Sequence, residues 1–364
     1  MAGKSKKTLA RILILLLSVC VYLVIAARPI PREVSFETRW LMDISKEQEI
    51  LDVLDSNQHV IPFLLNPRFG YVTPQGNLIL LRTLQNGQKL SMNESWWSVF
   101  SAVPDNLRLT STKNIPGISA LQIQNPAGYP IFFDSQAFII GKYQDSIQAV
   151  SSSGNTTWQF DTAAPITCLD YKAGHLVIGT LNGMISILNE EGKEIFSYQT
   201  GGSRIPVVYG VALSSDAKKV ALVSGIDKQR FIVLEKSGAS YKVLYHRFLS
   251  SNFRRPVLIR FLKKDTYITF EGNTELLSFN LPRKQLYSIP LSQPLLGISD
   301  LTNDMLLIVI TGENGRNNLH ILELPDRILV SSSFSAQQPF TTSHQDLFVL
   351  GSNELLLGIK INNK

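Results

Sequence analysis

Two kinds of hydrophobic pattern divide this chain. Ile12 to Ala27 is an unbroken run without a charge. From about residue 70 onward, apolar residues come instead in short bursts that alternate with polar ones and are bounded by Gly, Asn or Asp. Successive side chains of a strand point to opposite faces, so alternation between such boundaries predicts β-strands joined by tight turns.

The bursts repeat. Residues 140–160 align with residues 178–198 at an offset of 38: Gly141 with Gly179, Ile147 with Ile185, Val150 with Leu188, Gly154 with Gly192, Trp158 with Phe196 and Phe160 with Tyr198. Each unit reads as an apolar strand, a turn, an alternating strand, a Gly turn and an aromatic strand. Asn182-Gly183 is the kind of pair that supplies positive φ in a tight turn. Strand starts near 78, 138, 176, 220, 267, 306 and 347 count seven units over residues 70–364, about 42 residues each, which is the period of propeller blades. The expected fold is therefore all-β, a seven-bladed β-propeller over residues 70–364.

Two stretches carry a resemblance. Leu213-Ser-Ser-Asp-Ala-Lys218 resembles the Ser-Pro-Asp-Gly-Lys turn of WD40-like propellers. Gly179-Thr-Leu-Asn-Gly183, Ile185-Ser-Ile-Leu188, Gly192-Lys193 and Phe196 are similar to the repeat of bacterial PQQ-like propellers, including the envelope lipoproteins that assist outer-membrane protein assembly. The resemblance spans about residues 70–364 and implies the fold, which many unrelated activities share. The WD40 signature dipeptides are missing.

The flanking segments follow less closely. Residues 28–69 read as a membrane-proximal linker. Within it, Val34 to Trp40 alternates and could add a closing strand to the last unit, removing its exposed edge. Ser45-x-x-Gln48 followed by Ile50, Leu51, Val53 and Leu54 predicts a short capped helix. Residues 84–136, with Trp96-Trp97 and a Pro/Gly/Asn-rich stretch at 115–129, are expected to form a long loop.

The N-terminus adds a compartment. Lys4, Lys6, Lys7 and Arg11 precede the apolar run and Arg28-Pro29-Ile30-Pro31 ends it. A basic flank resists crossing a bilayer while the run favours hydrocarbon. The expectation is a cytoplasmic tail at 1–11, a single transmembrane signal anchor at 12–27, and the propeller in the periplasm beyond a bacterial inner membrane. Sixteen residues is short for a span, at about 1.5 Å per residue against a core of roughly 30 Å. Thr8 to Ala10 extend it if Arg11 snorkels. Cleavage after Ala26, leaving a free periplasmic protein, and lipidation at Cys20 are the alternatives.

Charge and chemistry narrow the function. The chain has 364 residues, 44% hydrophobic and 18% charged, too apolar and too weakly charged for disorder. Its net charge of +6 owes four units to the tail. No basic stripe remains on the body, which argues against nucleic acid as a partner. Cys20 and Cys168 are the only cysteines, so no disulfide framework is expected. His59, His175, His246, His320 and His344 are scattered, without metal-ligand spacing. Ser215-x-x-Lys218 matches the Ser-x-x-Lys of acylating enzymes but falls inside a turn. A quinone-dependent dehydrogenase would need vicinal cysteines and strong Trp-docking repeats, which are absent. No catalytic residue, metal or cofactor is expected.

The expectation is a non-catalytic, protein-binding scaffold of a bacterial envelope complex, with a small-ligand or carbohydrate sensor as the alternative. Candidate partner contacts are Trp96 and Trp97, adjacent aromatics that a strand would point to opposite faces, and Arg254 and Arg255 between Phe253 and Pro256.

Overall fold

The computed structural model describes residues 13–22, 34–50, 59–101, 106–115, 118–124, 128–134, 136–301 and 305–363. Contacts divide the chain into residues 1–36 with 361–364, and residues 37–360.

Among the described residues, 31 strands form eight sheets, in chain order from β1 (Val34–Asp43) to β31 (Leu355–Asn363). Blade one holds β2 (Ile61–Leu65), β3 (Arg68–Val72) and β4 (Leu78–Thr83). Blade two holds β5 (Lys89–Met92), β6 (Trp96–Phe100), β7 (Asn106–Ile115) and β8 (Ile118–Gln124). Blade three holds β9 (Gly128–Phe133), β10 (Gln136–Gly141), β11 (Ser146–Val150) and β12 (Thr156–Asp161). Blade four holds β13 (Ile166–Lys172), β14 (His175–Thr180), β15 (Met184–Leu188) and β16 (Glu194–Gln199). Blade five holds β17 (Val208–Leu213), β18 (Lys219–Ser224), β19 (Arg230–Ser237) and β20 (Ser240–Phe248). Blade six holds β21 (Ile259–Leu262), β22 (Tyr267–Glu271), β23 (Glu275–Asn280) and β24 (Gln285–Pro290). Blade seven holds β25 (Leu295–Asp300), β26 (Leu306–Glu313), β27 (Arg316–Glu323) and β28 (Arg327–Ser335). Blade eight joins β29 (Phe340–His344), β30 (Leu347–Ser352) and β31 to β1, which is its outer strand. Consecutive strands within each blade pair antiparallel, and first strands neighbour one another, as β13 does β17 and β25 does β29.

The expected seven blades are corrected to eight. Six of the expected starts coincide with the second strands of blades three to eight, and that near 78 is the third strand of blade one. The second strands are buried on both faces, as in KVALVS and YITFE, and so read as continuous apolar runs. The miss is residues 84–136, expected as a long loop, which hold all of blade two. That blade buries the polar side chains Ser98, Ser111 and Thr112. Tertiary contacts hold it. The Tyr71 hydroxyl of blade one donates to Asn93 O at 2.8 Å, and Trp97 packs into the cluster of Val60, Tyr71 and Leu80.

Neighbouring blades share their cores. Phe231 stacks on Phe270 at 4.3 Å between blades five and six. Phe63 and Leu65 meet Leu347, Val349 and Leu356 where blade one closes on blade eight. A tryptophan clamp marks this closure. The Trp40 indole N–H in β1 donates to Pro74 O at 3.0 Å, and its ring covers Gly76, at φ 89°. A Cβ on Gly76 would lie 2.5 Å from that ring. Trp158 in β12 repeats the arrangement between blades three and four, donating to Glu190 O at 2.8 Å over Gly192. The repeated Gly is needed both for its positive φ and for the ring above it.

The expected transmembrane helix at 12–27 is also corrected. Residues 13–22 are helical, and no described helix is long and apolar enough to cross a membrane. Residues 12 and 23–27 lie outside the described residues. The capped helix expected after Ser45 is instead a 3-10 turn at Ile44–Lys46, capped by Asp43. Ile44 is fully buried in the closure core, and the Ile50 backbone bridges to Leu81, which draws the segment away from a helix. Residues 51–58 lie outside the described residues.

Candidate partner-binding surface

The inner strands build one conspicuous concavity. The starts of β9, β13 and β17, with the segment leading into β21, enclose about 820 Å³. Its wall is largely apolar, including Tyr129, Ile131, Ile166, Val208, Tyr209 and Val257. The strands come close here because Gly210 lacks a side chain. A Cβ would lie 2.4 Å from Val257 O, and Val257 N donates to Tyr209 O at 2.8 Å. The Thr167 hydroxyl in the wall is used internally, donating to Val208 O at 2.6 Å. Burial pushes the Cys168 thiol up to about 12, so it stays protonated at neutral pH and is no nucleophile.

Arg254 and Arg255 stand at the mouth of this cavity. Their segment is pinned from below. The amide of Gln229, itself 1% exposed, donates to Phe253 O at 2.8 Å and accepts from Phe253 N at 3.1 Å. Glu271, 3% exposed, receives Arg255 in a forked pair at 2.5 and 2.9 Å. Its carboxylate holds the Arg255 guanidinium above its usual range. Arg254 differs. It donates to Ile226 O at 2.5 Å, and no ion pair with it occurs among the described residues. Leu181, in the lining, is an exposed apolar side chain, and the exposed Tyr143 and Ile205 precede the lining residues Gln144 and Val207 by one and two positions.

Trp96 and Trp97 lie elsewhere. Asn93, which begins their turn, donates to Asp134 O at 2.8 Å beyond the far end of β9. This is the opposite end of the inner strands from the arginines. Trp96 is 7% exposed and stacks on Phe132. Trp97 is half-buried between Phe69, at 5.8 Å, and the Arg82 guanidinium, 4.8 Å from its ring centre. The four candidate residues therefore form two separate sites.

The Ser-x-x-Lys candidates point to separate partners. Ser215 gives its hydroxyl to Asp265 at 2.5 Å, while Lys218 pairs with Asp216 at 3.4 Å. His320 is buried between Thr311 and Ser331 hydroxyls, and its charged form is disfavoured by burial. Among the described residues, no group of three or more His, Cys, Asp or Glu could hold a metal ion.

A family of beta-propeller proteins has a model that matches residues 1–364. The chain belongs to that family. An uncharacterized protein of Treponema pallidum (strain Nichols) is 25% identical over 347 residues, covering 93% of this chain and 90% of the relative. Among solved structures, BamB from Moraxella catarrhalis matches 90% of this chain and 100% of its own at TM-score 0.60 and 10% identity. A chain of a mitotic checkpoint complex matches 92% of this chain and 94% of its own at TM-score 0.52 and 12% identity. At such identities the two structures show the shared fold alone.

Sequence reasoning named the arginine pair as a candidate contact but did not name Gln229 and Glu271, which hold its segment. The one signal for Glu271 was an acid closing the apolar strand Tyr267-Ile-Thr-Phe270.

Proposed function

We propose that this propeller is a non-catalytic protein-binding platform whose contact surface is the cavity mouth on blades three to six. The observation that carries the reading is an apolar concavity, lined in part by exposed Leu181, beside Arg254, which makes no ion pair among the described residues. Exposed apolar groups around a pocket are the composition of an interface centre. Rigid strands with pinned loops lower the ordering cost of association. One solved relative of similar fold is part of a mitotic checkpoint complex, which is consistent with the fold serving in assemblies. The uncharged run at 12–27 and its basic flank support a bacterial envelope setting beyond the inner membrane.

The test is site-specific photo-cross-linking in the native organism. A cross-linker at Leu181 or Ile205 should capture one partner in stoichiometric yield, and purified partner should then bind the purified chain. A cross-linker at Lys264, beyond the far end of β21, should capture none. Equal labelling from both ends, or none from the mouth, would refute the placement.

A further inference from the structure

We infer that the occupant of the cavity is an acidic, apolar segment of the partner protein, which seats a bulky apolar side chain among Tyr129, Ile131 and Val208 and pairs an adjacent carboxylate with Arg254. This rests on the platform reading and names the partner's chemistry.

Charge complementarity carries the argument. Arg204 pairs with Asp227 at 3.6 Å and Arg255 with Glu271 at 2.5 Å, so these four charges cancel within the rim. Arg254 keeps its charge. Its donation to Ile226 O uses one of five N–H donors. A planar guanidinium fixed by one such bond presents the rest as a fork suited to a carboxylate. Lys142 and Lys228 lie at the same end of the strands, and so do Asp145, Asp161 and Glu275, so the charge left without an ion pair among the described residues of the mouth is that of Arg254. A basic segment would bring a like charge against Arg254. A neutral one would leave Arg254 to be desolvated unpaired. The cavity, at about 820 Å³, has room for more than one apolar side chain, and the exposed Leu181 and Ile205 extend its apolar surface outward.

The experiment titrates the full chain with a fluorescein-labelled peptide, Gly-Asp-Phe-Leu-Phe-Glu, and with its counterpart carrying Lys for both acids. Dodecanoate serves as competitor. The acidic peptide is expected to bind about tenfold tighter than the basic one and to weaken with added salt. Arg254→Glu should reverse that preference, and Leu181→Asp should weaken both peptides. Arg254 is exposed, so an unchanged thermal unfolding curve shows that its variant is folded. Equal binding of the two peptides, no effect of Arg254→Glu, or no binding of either by about 1 mM overturns the inference. Binding of dodecanoate with neither peptide assigns the cavity to a small amphiphilic anion and also overturns it. Mouth cross-links that persist through these failures leave the platform standing; their loss fells both.

Discussion

Removing either half of the Arg255–Glu271 pair should have unequal consequences. The Glu271 side chain is 4% exposed and that of Arg255 is 50% exposed. Arg255→Ala therefore strands a carboxylate that water cannot reach, at a cost of about 3 kcal/mol. Glu271→Gln leaves a guanidinium that can turn outward, so its cost should be about 1 kcal/mol, as for a part-exposed pair. The double change Arg255→Met with Glu271→Met removes both charges and should recover most of the first loss. The assay is urea unfolding at pH 7, with midpoints converted through a common slope. At this chain length, 3 kcal/mol corresponds to roughly 4 °C in melting temperature by entropy scaling. Both single variants should also loosen the segment that carries Arg254 and weaken acidic-peptide binding. Equal costs for the two single variants, or a double variant no more stable than Arg255→Ala, would refute the claim that burial of Glu271 decides the energetics.

Two further outcomes follow from the clamps and the histidines. Trp40→Ala and Trp158→Ala should each cost about 3 kcal/mol in the same unfolding assay, whereas Trp158→Phe, losing mainly the bond to Glu190 O, should cost about 1 kcal/mol. His320 and His344 both sit below the ordinary histidine range because burial disfavours their charge, and His59 beside His344 adds to the effect. The folded state thus binds fewer protons than the unfolded one. Stability should be full above about pH 6.5 and decline as pH falls through the unfolded and then the lowered folded values. Thermal melts between pH 7.5 and pH 5 should show this slope, and it should shrink in His320→Gln with His344→Gln.

Of the two arginines, adjacency to Phe253 and Pro256 marked both as loop contacts, and nothing local separated them. Their difference comes from Glu271 and Gln229, which stand 16 and 24 residues from their partners and are brought near by β22 and β19. The tryptophan pair shows the converse. Strand alternation predicts opposite faces for Trp96 and Trp97, but only the packing of blades one and three shows that Phe132 covers the first and that Phe69 and Arg82 flank the second.

Strand character and turn positions in blades three to eight were legible because they depend on near neighbours: alternation, apolar second strands, and Gly or Asn at positive φ. The number of blades was not. Blade two has polar strands and no repeat signature, and it folds because Tyr71, Trp96 and Trp97 tie it to its neighbours. The N-terminal run carried a strong hydropathy signal, yet no described helix is long and apolar enough to cross a membrane. Hydropathy reports which environment a segment prefers. Closure belongs to the tertiary structure for the same reason. Alternation in Val34 to Trp40 marks a strand, but only the fold sets β1 beside β31 and places Trp40 over a glycine of blade one. A residue's own neighbours determine its strand; its burial, its charge partner and its accessibility are set by chain segments that meet only when the ring is complete.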